Sequence, residues 1–129
     1  AYHAALNRNN ENITDLKNCL KQLGEGSTSK RFTWKRDQTF HATVARSSHN
    51  IFRIHVLMNI LDFSKELIQP VIEKFANQAD NLSTIGSQHT RIVKAIIDKD
   101  APAAHAAMKE HLAWTNQQFV EYFKSVKTK

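Results

Sequence analysis

Cysteine, proline and glycine are scarce in this chain of 129 residues, which has one Cys, two Pro and three Gly. Such scarcity excludes a disulfide scaffold, a collagen-like repeat and a low-complexity tract. Cys19 has no partner for an internal disulfide, which suits a reducing compartment. Beside Leu16, Leu20 and Leu23 on a helical face, it reads as an inert core thiol. Long apolar runs are missing as well. The densest stretch, residues 51–63, is interrupted by Arg53, His55, Asn59 and Asp62, so no run approaches the ~20 residues that span a bilayer. There is no initiating Met and no signal-peptide pattern, so the chain reads as a piece of a longer one. A Gly-rich phosphate loop, a G-x-S-x-G elbow, an H-E-x-x-H helix and the Glu-x-x-His pairs of di-iron bundles are all absent, which removes the commonest catalytic frames.

Charge is in surplus but not concentrated. Eighteen Lys and Arg stand against 12 Asp and Glu, a formal charge of +6. The tightest basic group is Lys30, Arg31, Lys35 and Arg36, and Lys124, Lys127 and Lys129 form a basic tail. Scattered bases of this kind read as a solvated face and assign no partner.

What is present is helical periodicity, with apolar spacings of three and four almost throughout. A first short helix ends at Asn9 and Asn10, and Asn12 is placed to cap a second that carries Ile13, Leu16, Leu20 and Leu23. Residues 24–29 form the one clear loop. A third helix is expected over 32–45 and a fourth over about 51–67, with Pro70 kinking or restarting the chain into 71–78. Residues 80–86 read as a polar connector, followed by a helix over 87–99. Asp100 caps a long last helix that has Pro102 in its first turn. The expectation is all-α: one domain over residues 1–129, a single antiparallel bundle of six to seven helices.

Seven histidines are many for this length, and three fall on apolar faces. His41 lies four residues after Asp37, so both project from one side of a helix. His89 aligns with Ile92, Val93 and Ile96, and His111 sits midway between Met108 and Trp114. A carboxylate and three imidazoles aimed at one core suit a divalent transition metal such as Zn, Ni, Mn or Fe. Each alone is more often a hydrogen-bonded core residue than a ligand, and spacing does not show that the helices converge. His3, His49, His55 and His105 lack this alignment and read as exposed or structural.

The motifs around these residues carry a resemblance. Asp37-Gln-Thr-Phe-His41-Ala-Thr-Val-Ala-Arg-Ser-Ser-His-Asn50 is similar to the D-x-x-F-H…(A/S)-S-x-N signature of the FCD effector-binding domain, the C-terminal half of FadR-subfamily GntR transcription regulators. Gln88-His89-Thr-Arg-Ile-Val-Lys-Ala-Ile-Ile-Asp-Lys-Asp100 resembles E-H-x-x-I-x-x-A-I-x-x-x-D, with Gln88 in place of Glu. Ala104 to Leu112, through Ala107, Met108 and His111, resembles A-x-x-A-M-x-x-H-L. Three motifs in order cover most of the chain, and the winged helix-turn-helix of the regulators is absent from it.

The resemblance implies a metal-binding branch, with Asp37, His41, His89 and His111 as ligands and zinc the leading ion. It implies a cytoplasmic, homodimeric sensor that is not an enzyme. A small organic carboxylate would bind through the metal, and a separate N-terminal winged-helix domain would contact DNA. Arg53 reads either as a charge partner for an acidic effector or as a snorkelling surface residue. Arg46 and Arg91 are weaker candidates, and Phe75 and Ile85 are expected to line a pocket. A small helical metalloenzyme using the same Asp and His set is the rival class, and a metal-free interaction module is a third.

Overall fold

Local signals start and stop each helix of the computed structural model, which describes residues 1–23, 31–78 and 80–128. Among these there are six helices and no strand: α1 (Tyr2–Asn7), α2 (Asn10–Leu23), α3 (Trp34–Arg46), α4 (Ile51–Ala76), α5 (Asn81–Ile97) and α6 (Ala101–Lys127). The loop expected at residues 24–29, together with Lys30 and Lys129, lies outside the described residues.

Four boundaries differ from the sequence reading. Asn9, not Asn12, opens α2: Asn12 N–H donates to Asn9 Oδ1 while Asn9 N–H donates to Asn12 Oδ1, both at 2.9 Å. The two asparagines thus satisfy each other's free donors in the manner of a capping box. Thr33 caps α3 by accepting from Arg36 N–H, so the helix begins at Trp34 and Phe32 precedes it. α4 runs unbroken to Ala76 with Pro70 inside it. Proline removes one hydrogen bond, but Ile68, Val71, Ile72 and Phe75 bury apolar surface on both sides of it and hold the helix together. The expected polar connector is instead the first turn and a half of α5, where Leu82 and Ile85 continue the apolar face that carries His89 and Ile92.

The turn between α5 and α6 is three residues long. Asp100 N–H donates to Ala95 O and Lys99 N–H to Ile96 O, which is the double closure of a Schellman motif. Lys99 holds the left-handed position with φ 56°. Asp100 then accepts from Ala103 N–H and starts α6, with Pro102 in the first turn as expected. The Arg8 guanidinium donates to the carbonyls of Ile96 and Ile97, so the end of α1 covers the C-terminus of α5.

Two apolar clusters make the core. One joins Ala4, Leu16, Cys19, Phe40, Val44, Ile92, Ile96 and Ala104 from α1, α2, α3, α5 and α6. The other joins Phe32, Trp34, Ile72, Phe75, Ala76 and Ile85, with Trp114 and Phe119 packed against it. Cys19 is buried in the first, its Sγ 3.5 Å from Thr43 Oγ1, and burial pushes its thiol pKa up, as an inert core thiol requires.

Candidate metal centre

The junction between the two clusters is polar. α3 supplies Asp37 and His41, α5 supplies His89, and α6 supplies His111. Each lies one turn from a residue of the second cluster or against the first. Trp34 precedes Asp37 by three residues, Ile85 precedes His89 by four, and Trp114 follows His111 by three. Phe40, from the first cluster, stacks flat on the His89 ring with centroids 3.9 Å apart.

The side chains converge. Asp37 Oδ1 is 3.6 Å from His89 Nε2, and its Oδ2 is 3.7 Å from His41 Nε2. His89 Nε2 and His111 Nε2 are 3.3 Å apart. Ligand nitrogens of the three histidines all lie within 4.8 Å of one another, close enough to hold one metal ion. Two donors each ~2.1 Å from a single ion stand ~3.0 Å apart at right angles and ~3.4 Å apart in a tetrahedron. The His89–His111 spacing of 3.3 Å falls in that range, the two Asp37 contacts of 3.6 and 3.7 Å lie just beyond it, and the three histidines as a set would close in from within 4.8 Å to share an ion.

Electrostatics favour the same group. Burial raises the Asp37 pKa to about 7, partly offset by the neighbouring His111. Burial lowers His41 and His111 to about 4, and His89 falls well below the ordinary imidazole value for the same reason. Neutral imidazoles with free lone pairs beside a buried carboxylate fit a divalent cation, which would repay the cost of burying the carboxylate charge. His111 is also oriented. Its Nδ1–H donates to Gln88 Oε1 at 2.7 Å, which leaves Nε2 as the nitrogen that faces His89.

The remaining sequence candidates fall elsewhere. Arg53 is exposed in the first turn of α4 and Arg46 in the last turn of α3; among the described residues, no hydrogen bond, ion pair or ring contact joins either to the four converging groups. Arg91 is exposed and paired with Glu110 across α5 and α6. Phe75 and Ile85 are both buried in the second cluster, where Phe75 meets Trp114 and Phe119 edge to face. His3, His55 and His105 are exposed, and exposed His49 contacts Asn12 Oδ1 at 2.8 Å.

Two residues near the site carry more than their sequence signals showed. Gln88 is a helical neighbour of His89, and only the packing of α5 on α6 brings it to His111. Trp34 is 5% exposed, and its Nε1–H is one of two buried side-chain polar atoms without a hydrogen-bond partner among the described residues, the other being His89 Nδ1. Trp34 fits its helix as an apolar residue, so nothing in the sequence marks an orphaned donor.

Comparison with known proteins agrees with this architecture. The chain is 23% identical over 116 residues to a protein of Escherichia coli K12 named for a proposed role in regulating the L-lactate dehydrogenase operon, and equally to its counterpart of the same name in Shigella flexneri. The match takes in 90% of this chain and 44% of each relative, so the chain spans less than half the length of the relatives it matches. No solved structure matches it. The family model of the FCD domain matches residues 1–113, which include Asp37, His41, His89 and His111, and the chain thereby belongs to the FCD-domain family.

Proposed function

We propose that this chain is the effector-sensing domain of a GntR-type transcription regulator, in which Asp37, His41, His89 and His111 hold one divalent metal ion, zinc foremost. The single observation behind this reading is the approach of three imidazoles from three helices to within 4.8 Å of one another, with the buried Asp37 carboxylate 3.6 and 3.7 Å from two of them. When bound, the ion supplies a Lewis-acidic anchor for the carboxylate of a small organic acid. The chain's own residues do the rest. Gln88 fixes the tautomer of His111, and Phe40 fixes the plane of His89. Ile85 and Trp114 form an apolar wall one turn from the histidines, and Trp34 Nε1–H is a buried donor suited to a second polar atom of the effector.

A 2-hydroxy acid matches this pairing of anchor and donor. Lactate is the first to try, because the relatives' name ties them to an L-lactate dehydrogenase operon. The domain acts in a cytoplasmic homodimer, and DNA is contacted by a separate N-terminal winged-helix domain. Effector binding changes DNA affinity only through its unequal affinity for two states of that dimer.

Elemental analysis of purified protein tests the first half: about one divalent ion per chain is expected. His89→Ala and His111→Ala lose it, while His55→Ala keeps it. Equal retention in all three variants rejects the ligand assignment. A thermal-shift screen of lactate, glycolate, malate, citrate and sugar acids tests the second half. Lactate raises the melting temperature of metal-loaded protein by mass action, and a chelator abolishes the increment. Equal binding to metal-free protein rejects metal anchoring.

A further inference from the structure

Side chains of α4 tie down the segment that enters α3. Phe32 N–H donates to Asn77 Oδ1 at 2.9 Å, and Asn77 Nδ2–H donates back to Phe32 O at 3.1 Å. Thr33 is extended, with φ −130° and ψ 143°. Next, Trp34 N–H donates to Glu73 Oε1 at 2.9 Å. Gln69 Nε2–H donates to the same oxygen at 3.3 Å, and Asn77 Nδ2–H reaches Glu73 O at 2.7 Å, so both clamping side chains are themselves held. The spacings match. One turn of α4 from Glu73 to Asn77 rises about 6 Å, and two residues of extended chain cover about 6.6 Å. Residues 32–34 therefore run antiparallel to α4 and bond to it at every second residue.

Capping alone does not call for this clamp. The Thr33 side chain already accepts from Arg36 N–H, and the first N–H of a helix is readily left to water. The bonds to α4 instead fix the main chain on the N-terminal side of Trp34. Its indole shares the second cluster with Ile72, Phe75 and Ile85, and few torsions separate the ring from the clamped main chain. Nε1–H is thus held in one place, buried, with no partner among the described residues. An unpaired buried donor costs stability, and a ligand that brings an acceptor recovers the cost. Trp34, Ile85 and Trp114 stand one turn from Asp37, His89 and His111, so this donor belongs to the layer bordering the four groups.

We infer that Glu73 and Asn77 are positioning residues for effector selectivity: they hold the Trp34 main chain to α4, and with it the indole donor that meets the hydroxyl of a 2-hydroxy acid. Neither is among the four converging groups. The inference rests on the sensing reading above and adds where its selectivity comes from. A fixed, desolvated donor penalises an acid that lacks the hydroxyl, because the donor then stays buried and unpaired.

Two measurements on the metal-loaded chain test it. The first needs no effector. Proton–nitrogen correlation spectra carry one indole signal from each of Trp34 and Trp114, told apart with Trp34→Phe. Glu73→Ala combined with Asn77→Ala shifts the Trp34 signal and speeds its hydrogen exchange at least about tenfold. Glu73→Gln keeps the accepting oxygen and leaves the signal in place. The second compares affinities for lactate and for propionate, the same acid without the hydroxyl. Wild type favours lactate, and Trp34→Phe cuts that preference about tenfold. The double alanine variant cuts it by a similar factor, and adding Trp34→Phe to it cuts it no further, as expected of residues that act through one donor. Glu73→Gln keeps the preference. Glu73 and Asn77 line an open groove with Arg31, Pro70 and Lys74, so truncation admits water there; Asn77→Ala alone keeps the test decisive if the double variant fails to fold. An undisturbed indole signal, an unchanged preference in the alanine variants, or losses that add in full to that of Trp34→Phe overturn the inference and leave the sensing reading standing. A metal-loaded wild type that binds neither acid overturns the sensing reading itself, and the inference falls with it.

Discussion

At the scale of single residues, the candidate site was legible in part. Asp37 and His41 share a face because they are four apart, and His89 and His111 sit among aliphatic residues where a lone histidine stands out. That helical periodicity exposes the type and direction of each side chain but not their meeting, since convergence depends on how α3, α5 and α6 pack. The same limit hid Gln88, whose partner lies 23 residues away on another helix. Gln88→Ala leaves His111 Nδ1–H without an acceptor, and metal affinity is expected to fall ~10–100-fold with the fold intact; a competition titration against a chelating dye reads this directly. Protonation gives a second expectation. In metal-free protein His41, His89 and His111 titrate far below the unfolded value of about 6.5, and Asp37 titrates near 7, above its unfolded value. Between about pH 6.5 and 4 the unfolded chain therefore binds three imidazole protons that the folded one refuses, while the folded chain keeps a single extra proton on Asp37. The imbalance makes stability fall as pH falls. Chelator-treated protein should melt at a lower temperature at pH 5 than at pH 7; an unchanged melting point would mean the imidazoles are not held neutral.

At the scale of elements, caps and breakers decided where the sequence reading succeeded. Asp100 and Pro102 mark the start of α6 unambiguously because both act locally. Residues 80–86 misled because their polar composition masks just two apolar positions, Leu82 and Ile85, whose helical phase matters only once α5 has a neighbour. Pro70 misled for the opposite reason: a strong local breaker was outweighed by burial on both sides. Lys99 sits at a left-handed position that normally falls to glycine. Lys99→Gly should stabilise the domain by about 0.5–1 kcal/mol in denaturant melts, since the strain of a β-carbon there exceeds the entropy glycine adds to the unfolded chain. Asp100→Ala should cost about 1 kcal/mol by leaving Ala103 N–H uncapped.

At the scale of the whole molecule, the all-helical class followed from period alone, and the division of the core in two did not. The polar junction lies between an Ala-rich cluster and an aromatic one, and both tryptophans belong to the aromatic one. Occupancy of the junction should therefore be visible optically. Adding metal and then lactate is expected to change tryptophan emission, and Trp34→Phe should remove most of the lactate-dependent part while leaving the metal-dependent part measurable. No helix is long and apolar enough to cross a membrane among the described residues.

The three-residue turn between α5 and α6 also bears on the order of events in time. It is closed by two backbone hydrogen bonds and a side-chain cap, so the hairpin needs little chain entropy to form. His89 and His111 are then neighbours by local closure, as Asp37 and His41 are by helical spacing. Only the encounter of these two ready-made halves spans a long stretch of chain, from α3 to α5. Contacts of high sequence separation are the slow ones, so the four-residue centre is expected to assemble late in folding from two halves that each exist early.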